Sequence, residues 1–118
     1  MRSVDKYAPK PVTFVGSSLD DLREFPPSAR RNCGYQVDKV QRGEDPDDWK
    51  PMSAVGEGVR EIRLRDAAGA FRVMYVAKFS EAMYVLHLFQ KKTRTTARKD
   101  LDLAKRRYQE VLAKRRKL

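Results

Sequence analysis

Residues 59–90 contain three runs with β-strand character, separated only by short links. The runs are residues 59–65, 71–79 and 82–90, and links as short as residues 66–70 and 80–81 are typical of β-hairpins. The central run, FRVMYVAKF, is apolar on both faces apart from Arg72 and Lys78, as in a strand that is covered on both sides. The sequence therefore predicts an antiparallel three-stranded meander packed between two layers.

Helical patterns flank this meander in the sequence. Ser17 and Ser18 stand at capping-box spacing from two aspartates and open a short helix that Pro26 ends. A second helix is expected to run from about Pro27 to Gly43, with its apolar residues on one face. Residues 97–115 predict a third helix, which has one apolar stripe and carries most of its Lys and Arg elsewhere. The two early helices are expected to form a helical hairpin.

The fold class follows from the order of these elements. A short strand at residues 12–15 precedes the helices, and residues 44–58 are rich in turn residues and acids, which predicts a surface loop held by Trp49 and Met52. The order β-α-α-β-β-β-α indicates an α+β fold, a small antiparallel β-sheet flanked by the hairpin and a C-terminal helix. At 118 residues, we expect one domain, with a loose arm at residues 1–11 and a folded core at residues 12–115.

Positive charge is concentrated near the C-terminal end. The chain carries 26 Lys and Arg against 16 Asp and Glu, a net charge of +10, and residues 91–118 hold 12 of the basic and 3 of the acidic side chains. This +9 favours a polyanionic partner, either nucleic acid or an anionic membrane surface. Because the sequence shows neither a transmembrane-length apolar run nor a signal peptide, we expect a cytoplasmic protein.

Several classes of site are excluded by composition and motif. With one Cys and one His, the chain cannot assemble a zinc site from soft ligands alone. The sequence also has no phosphate-binding loop, dinucleotide fingerprint or nucleophile elbow. We therefore expect no metal and no other cofactor, and we interpret Cys33, on the apolar stripe of a helix, as an inert core thiol.

Charged side chains instead gather on the meander strands. Period two places Glu61, Arg63 and Arg65 on one face of the first strand, and His87, Phe89 and Lys91 on one face of the last. Cleavage of RNA by its own 2′-hydroxyl needs a proton acceptor, a proton donor and cations at the phosphate. These residue types can supply all three. The alternative, purely structural roles are a cross-strand ion pair for Glu61 and a buried, hydrogen-bonded core position for His87.

The sequence resembles the phage-derived, HigB-type branch of the RelE/ParE toxin superfamily. The resemblance lies in residues 16–52 and in three later segments: GVREIRLRD, AFRVMYVAKF and YVLHLFQKKTRTTARKDLDLAKRR. The similarity extends from about residue 11 to residue 115. It implies a RelE-like fold, the toxin role in a type II toxin–antitoxin module, and ribosome-dependent, metal-independent cleavage of mRNA that leaves a cyclic phosphate.

The resemblance also implies roles for individual residues. By position, Arg72 and Lys91 would stabilise transition-state charge, and His87 or Glu61 would transfer protons. A group of residues around them would contact RNA: Arg63, Arg65, Phe89, Lys92 and Arg94. RelE places a stacking tyrosine near its C-terminus, whereas Tyr108 lies on the apolar stripe of the last helix here, so Phe89 is the expected replacement.

The implied partners are the ribosome with its RNA, mRNA, and a cognate helix-turn-helix antitoxin that is acidic where it covers the basic cleft. Operator DNA would be contacted only through that antitoxin, and no membrane is involved. Two other functions remain open at this point. One is a ParE-like inhibitor of DNA gyrase, and the other is a non-catalytic basic nucleic-acid-binding protein.

Overall fold

The computed structural model describes residues 8–117, so most of the predicted N-terminal arm lies outside the described residues. Eight helices and strands follow one another in this range: β1 (Val12–Phe14), α1 (Ser18–Arg23), α2 (Pro27–Gln41), β2 (Trp49–Pro51), β3 (Val59–Asp66), β4 (Gly69–Val76), β5 (Met83–Lys91) and α3 (Arg98–Arg116). The α+β class and the order predicted from the sequence are confirmed, with β2 as an addition.

The strands form one five-stranded sheet in the order β1-β5-β4-β3-β2. The antiparallel meander of β3, β4 and β5 is confirmed. The sheet as a whole is mixed, because β1 pairs parallel to β5 with Val12 opposite Met83. The prediction of a continuous loop at residues 44–58 is wrong for residues 49–51, because these residues pair antiparallel with β3 as an edge strand. A strand of three residues is too short to show a period-two pattern in the sequence. Proline, which lacks a backbone N–H, is tolerated at position 51 because β2 is an edge strand.

Residues 10 and 11 are held in place rather than loose. The backbone N–H of Lys10 donates to Gln41, the side-chain amide of Gln41 donates back to Lys10, and the Lys10 ammonium donates to Ala77. The carbonyl of Pro11 accepts from Met83. The bond between Pro11 and Met83 continues the β1–β5 pairing toward the N-terminus, whereas the bonds of Lys10 attach this segment to α2 and to the residue after β4. Local composition does not reveal such long-range contacts.

The helices cover both faces of the sheet, which explains the two-sided apolar pattern of β4. One face packs against α1 and α2, where Cys33 is fully buried, and this burial raises the pKa of its thiol to about 12. The other face packs against α3 through Ala104, Tyr108 and Val111. Within residues 8–117, no helix is long and apolar enough to cross a membrane.

Tyr108 anchors α3 to the loop that precedes β3. Its hydroxyl donates a hydrogen bond of 2.8 Å to the carbonyl of Glu57. Its ring lies so close to Gly56 that a Cβ atom there would meet ring carbons at 2.3 Å. Tyr108 is therefore part of the core, and Gly56 leaves the space that its ring occupies.

Replacement of Gly56 with alanine is expected to destabilise the protein by about 1–3 kcal/mol, because the added methyl overpacks this contact. Urea unfolding measures the change. The matched control is Gly34→Ala in α2, where a Cβ atom meets nothing within 4 Å. Alanine there is expected to stabilise by about 0.5–1 kcal/mol, since glycine is a poor helix former. Equal stabilities for the two variants would contradict the close packing of the Tyr108 ring on Gly56.

Arg115 ties the end of α3 to the connection between β4 and β5. Its Nε donates to the Glu81 carboxylate at 2.6 Å, and its guanidinium stacks on Phe79 at 3.8 Å. The hydrogen bond from Arg115 lowers the pKa of Glu81 from 4.5 to about 2.

A lowered carboxyl pKa contributes stability that is fully present above the unfolded pKa of 4.5 and is lost as the pH falls through about 2. We therefore expect Glu81→Gln to flatten the decline in unfolding free energy between these two pH values. Urea unfolding at several acidic pH values measures this slope. Glu24→Gln, which alters an exposed glutamate, should leave it unchanged, and an unaltered slope in Glu81→Gln would count against the pairing.

Candidate active site

The register of the meander places most of the predicted site residues on the sheet face that α3 covers. Three rows of directly opposed residues cross β3, β4 and β5: Arg65–Ala70–Lys91, Arg63–Arg72–Phe89 and Glu61–Met74–His87. On β2, Lys50 extends the last row, because it pairs with Glu61. The period-two spacing in the sequence agrees with this shared face.

A cleft of about 370 Å³ opens on this face. Five predicted site residues line it: Glu61, Arg63, Arg72, Lys91 and Arg94. Its other lining residues come from β2 and the loop after it, from the connection between β5 and α3, and from the start of α3: Lys50, Met52, Ala54, Thr95, Thr96 and Leu101. A second hollow of about 290 Å³ adjoins it through shared Arg63 and Arg72, and it adds Arg65 and Asp48. Basic side chains therefore line both depressions, and Asp48 is the acidic residue of the second.

Arg63 and Arg72 stand directly opposite each other on neighbouring strands. Like charges at such positions repel and destabilise a sheet. Arg72 is also buried, at 8% exposure. This burial lowers the pKa of its guanidinium, the Glu61 carboxylate opposes that shift, and Arg63 and Arg65 add to it. A guanidinium keeps its proton nonetheless. The Asp48 carboxylate lies 3.9 Å from Arg63 and offsets part of the repulsion, and an anion bound between the two arginines would offset more of it.

Glu61 supplies the negative charge beside Arg72. Its side chain is 1% exposed, and its Oε1 lies 3.8 Å from Arg72 Nε and 3.9 Å from Lys50 Nζ. Neither distance is a hydrogen bond. Glu61 Oε2 and Arg72 Nε have no hydrogen-bond partner among residues 8–117. Buried polar groups in proteins are nearly always hydrogen-bonded, so this acceptor and this donor are the candidate contacts for a group bound in the cleft.

Lys91 lies where β5 meets the connection to α3. Its ammonium donates to the backbone carbonyls of Thr93, at 3.0 Å, and Arg94. These bonds use two of its three N–H groups, so one N–H is left for a ligand. The same bonds fold the connection back, and Arg94 lines the cleft with Lys91. Lys92 is exposed and does not line it.

His87 lies beside the cleft rather than in its wall. Its Nε2 is 2.8 Å from Asp100 Oδ1, its ring stacks on Phe89 at 4.9 Å between centroids, and its Nδ1 has no partner among residues 8–117. This arrangement matches the buried, hydrogen-bonded alternative. Of the two predicted proton-transfer residues, Glu61 lines the cleft, whereas the bond between His87 and Asp100 holds the start of α3 against the sheet.

Several residues of the site were not found by sequence reasoning. Lys50 reaches the cleft only because β2 pairs with β3, and Asp100 enters through its contact with His87. Thr95 and Thr96 line the cleft through the folded connection after β5. None of these positions carries a local pattern, so their roles depend on long-range contacts. The described residues contain no group of three or more His, Cys, Asp or Glu that could hold a metal ion.

Residues 20–109 match a family model described as phage-derived protein Gp49-like (DUF891). The chain belongs to this Gp49-like family. The match includes β2, the whole meander and the first half of α3, so every residue that lines the Gp49-like cleft lies within it. No curated protein matches the chain significantly.

The fold of this Gp49-like protein is RelE-like. Among solved structures, it is similar to a chain of the toxin–antitoxin complex RelBE2 from Mycobacterium tuberculosis, with a TM-score of 0.51 and 20% identity. The alignment covers 70% of the present chain and 99% of that one. Similarity at this level of identity concerns the fold, and the chemistry of the Gp49-like cleft is argued below from its own residues.

Proposed function

We propose that this Gp49-like protein is the toxin of a type II toxin–antitoxin module, of the HigB-type branch, and that it cleaves mRNA on the ribosome. The observation that carries the proposal is the pair of Glu61 and Arg72. A buried carboxylate and a buried guanidinium, each with hydrogen-bonding capacity unused within residues 8–117, line a cleft that contains four further cations. RNA cleavage without a metal requires a proton acceptor and nearby cations that stabilise the phosphorane.

The proposed reaction uses the nucleophile that RNA itself carries. Glu61 accepts the proton of the ribose 2′-hydroxyl, whose oxygen attacks the adjacent phosphorus. Arg72 and Arg63 stabilise the charge that develops on the phosphorane oxygens. The bond to the 5′ oxygen then breaks, and the Lys91 ammonium is the candidate donor of the proton that this oxygen takes up. The products are a 2′,3′-cyclic phosphate and a 5′-hydroxyl end.

The surroundings of the cleft suit a polyanion. Arg65, Lys92 and Arg94 extend its positive charge and are proposed to hold the RNA strand. The exposed side of α3 adds further cations, which we assign to ribosomal RNA: Arg98, Lys99, Lys105, Arg106, Lys114, Arg116 and Lys117. Binding by such a surface is dominated by phosphate contacts. A cytoplasmic location follows from this target.

The proposed partner is a helix-turn-helix antitoxin that is acidic where it covers the cleft. One chain of a toxin–antitoxin complex has a similar fold, and masking the cations would prevent binding to RNA. In this scheme operator DNA is contacted only through the antitoxin. Co-expression with the product of the neighbouring gene, followed by purification, tests the partnership.

The activity is tested by inducing the protein in bacteria and mapping mRNA ends by primer extension. New ends are expected with the wild type and not with the Arg72→Ala, Lys91→Ala double variant. Growth arrest with intact transcripts and altered DNA supercoiling would instead favour a ParE-like gyrase inhibitor. Intact transcripts with normal growth would leave a non-catalytic binding protein.

A further inference from the structure

The side chains that line the cleft change from charged to apolar along its length. Arg63, Arg72 and Lys91 lie toward one end of the strands, and the Lys50–Glu61 pair follows them in the register. Beyond that pair, the backbone N–H of Met52 donates to Val59 at 2.9 Å. Met52 therefore lies on the side of Glu61 away from the arginines. One end of the cleft is cationic, and the other is bounded by apolar side chains.

Met52 and Leu101 form the apolar end and are held firmly. Both are half-buried and pack against the core cluster that contains Tyr108 and Met74. One side of each is fixed by the core, and the other lines the cleft. A methionine thioether makes favourable contacts with aromatic rings, so this end suits a flat aromatic group.

Two threonines also line this cleft. Thr96 is half-buried and Thr95 is exposed, and both belong to the connection that Lys91 folds back. A threonine hydroxyl donates one hydrogen bond and accepts others. It can therefore bond to the polar edge of a ring whose faces meet apolar side chains.

We propose that this end of the cleft is a nucleobase subsite. The base packs against Met52 and Leu101, the hydroxyls of Thr95 and Thr96 bond to its edge, and the phosphate lies at Arg72. The inference deepens the proposed function and rests on it for the phosphate end. The cleft volume of about 370 Å³ is in the range of small-ligand sites. Phe89 is not needed as a base contact, because it does not line the cleft and stacks on His87.

Binding to the purified protein tests the subsite without any need for cleavage. The probes are the four ribonucleoside 3′-monophosphates and ribose 3-phosphate, which lacks a base, titrated by NMR. We expect the nucleotides to bind about tenfold more tightly than ribose phosphate, and Met52→Ala or Leu101→Ala to remove most of that advantage. Binding of ribose phosphate should not change in these variants.

Two further variants separate recognition from folding. Met52→Gln has a similar size and lacks the thioether and apolar surface, so it should weaken nucleotide binding. Because one side of Met52 packs against the core, thermal unfolding is measured alongside to confirm that the variant is folded at the temperature of the titration. Thr96→Val keeps the shape of the side chain and removes its hydroxyl, which should narrow the differences among the four nucleotides. Thr13→Val, on β1 and away from the cleft, is the matched control.

The outcomes distinguish the subsite from the proposed function. If ribose phosphate binds through Arg72 and the base adds no affinity, the subsite is overturned while the proposed function stands. If nucleotides bind through Met52 and Arg72→Ala has no effect, the subsite stands and the phosphate end is overturned. Failure of every probe to bind overturns the subsite, whereas the proposed function is decided by the cleavage assay with ribosomes. If the protein cleaves mRNA, unchanged cleavage preferences in Met52→Gln and Thr96→Val overturn the subsite alone.

Discussion

Replacement of Arg72 with alanine is expected to lower the rate of mRNA cleavage by about 100- to 1,000-fold, the loss typical when a preorganised electrostatic contact to a transition state is removed. Arg72 is the most buried cation of the cleft, and it lies between Arg63 and Glu61. Single-turnover cleavage of ribosome-bound mRNA measures the effect. Arg72→Lys keeps the charge but loses the planar fork of donors, so we expect it to recover only part of the rate.

The same substitution is expected to reduce stability. It leaves the Glu61 carboxylate, which is 1% exposed, beside only the more exposed Lys50 at 3.9 Å. Breaking a buried ion pair costs about 3–5 kcal/mol, and movement of Lys50 toward Glu61 offsets part of that cost. The matched control is Arg31→Ala, which removes an equal charge from the exposed side of α2. Normal cleavage by folded Arg72→Ala would contradict the assigned role.

Replacement of Glu61 with glutamine is expected to lower cleavage by about 100- to 10,000-fold, the range associated with general acid–base catalysis. RNA binding should stay the same or become tighter, because the substitution removes a negative charge from a basic cleft. Single-turnover rates and filter binding, measured on the same preparations, separate these two effects. If Glu61 had only a structural role, its replacement would not lower the cleavage rate while leaving RNA binding intact.

Two controls support the interpretation of Glu61→Gln. Glu24→Gln removes an exposed carboxylate at the end of α1 and should change neither rate nor binding. In the Glu61→Gln, Arg72→Ala double variant, the loss of stability should be smaller than the sum of the single losses, because neither charge is left without its partner. Full cleavage activity in Glu61→Gln would assign proton transfer to another group.

The fold was predictable where local patterns are strong. Two-sided apolar character marked β4 as a covered strand, and short links predicted the meander. The pairing of β2 with β3 and the parallel addition of β1 to β5 were not predictable, because each strand has only three residues and joins a distant partner. The same limit explains why Lys10 was assigned to a loose arm.

The site was predictable to the extent that period-two spacing determines a shared face. Glu61, Arg63 and Arg65 share a face, and the register adds Arg72 and Lys91 to it. Spacing could not show which of His87 and Glu61 lines the cleft, because this depends on the contact between His87 and Asp100 of α3. It also could not reveal that Met52, Leu101 and Thr96 line one cleft, since they come together only when β2 and α3 reach the meander.

The most direct test of the account is cleavage in a reconstituted system of purified protein, bacterial ribosomes and end-labelled mRNA. We expect cleavage only when ribosomes are present, with products that end in a 2′,3′-cyclic phosphate, and a severe loss of cleavage with Arg72→Ala. Intact mRNA in the presence of ribosomes and folded wild-type protein would contradict the account, as would equal cleavage by the wild type and Arg72→Ala.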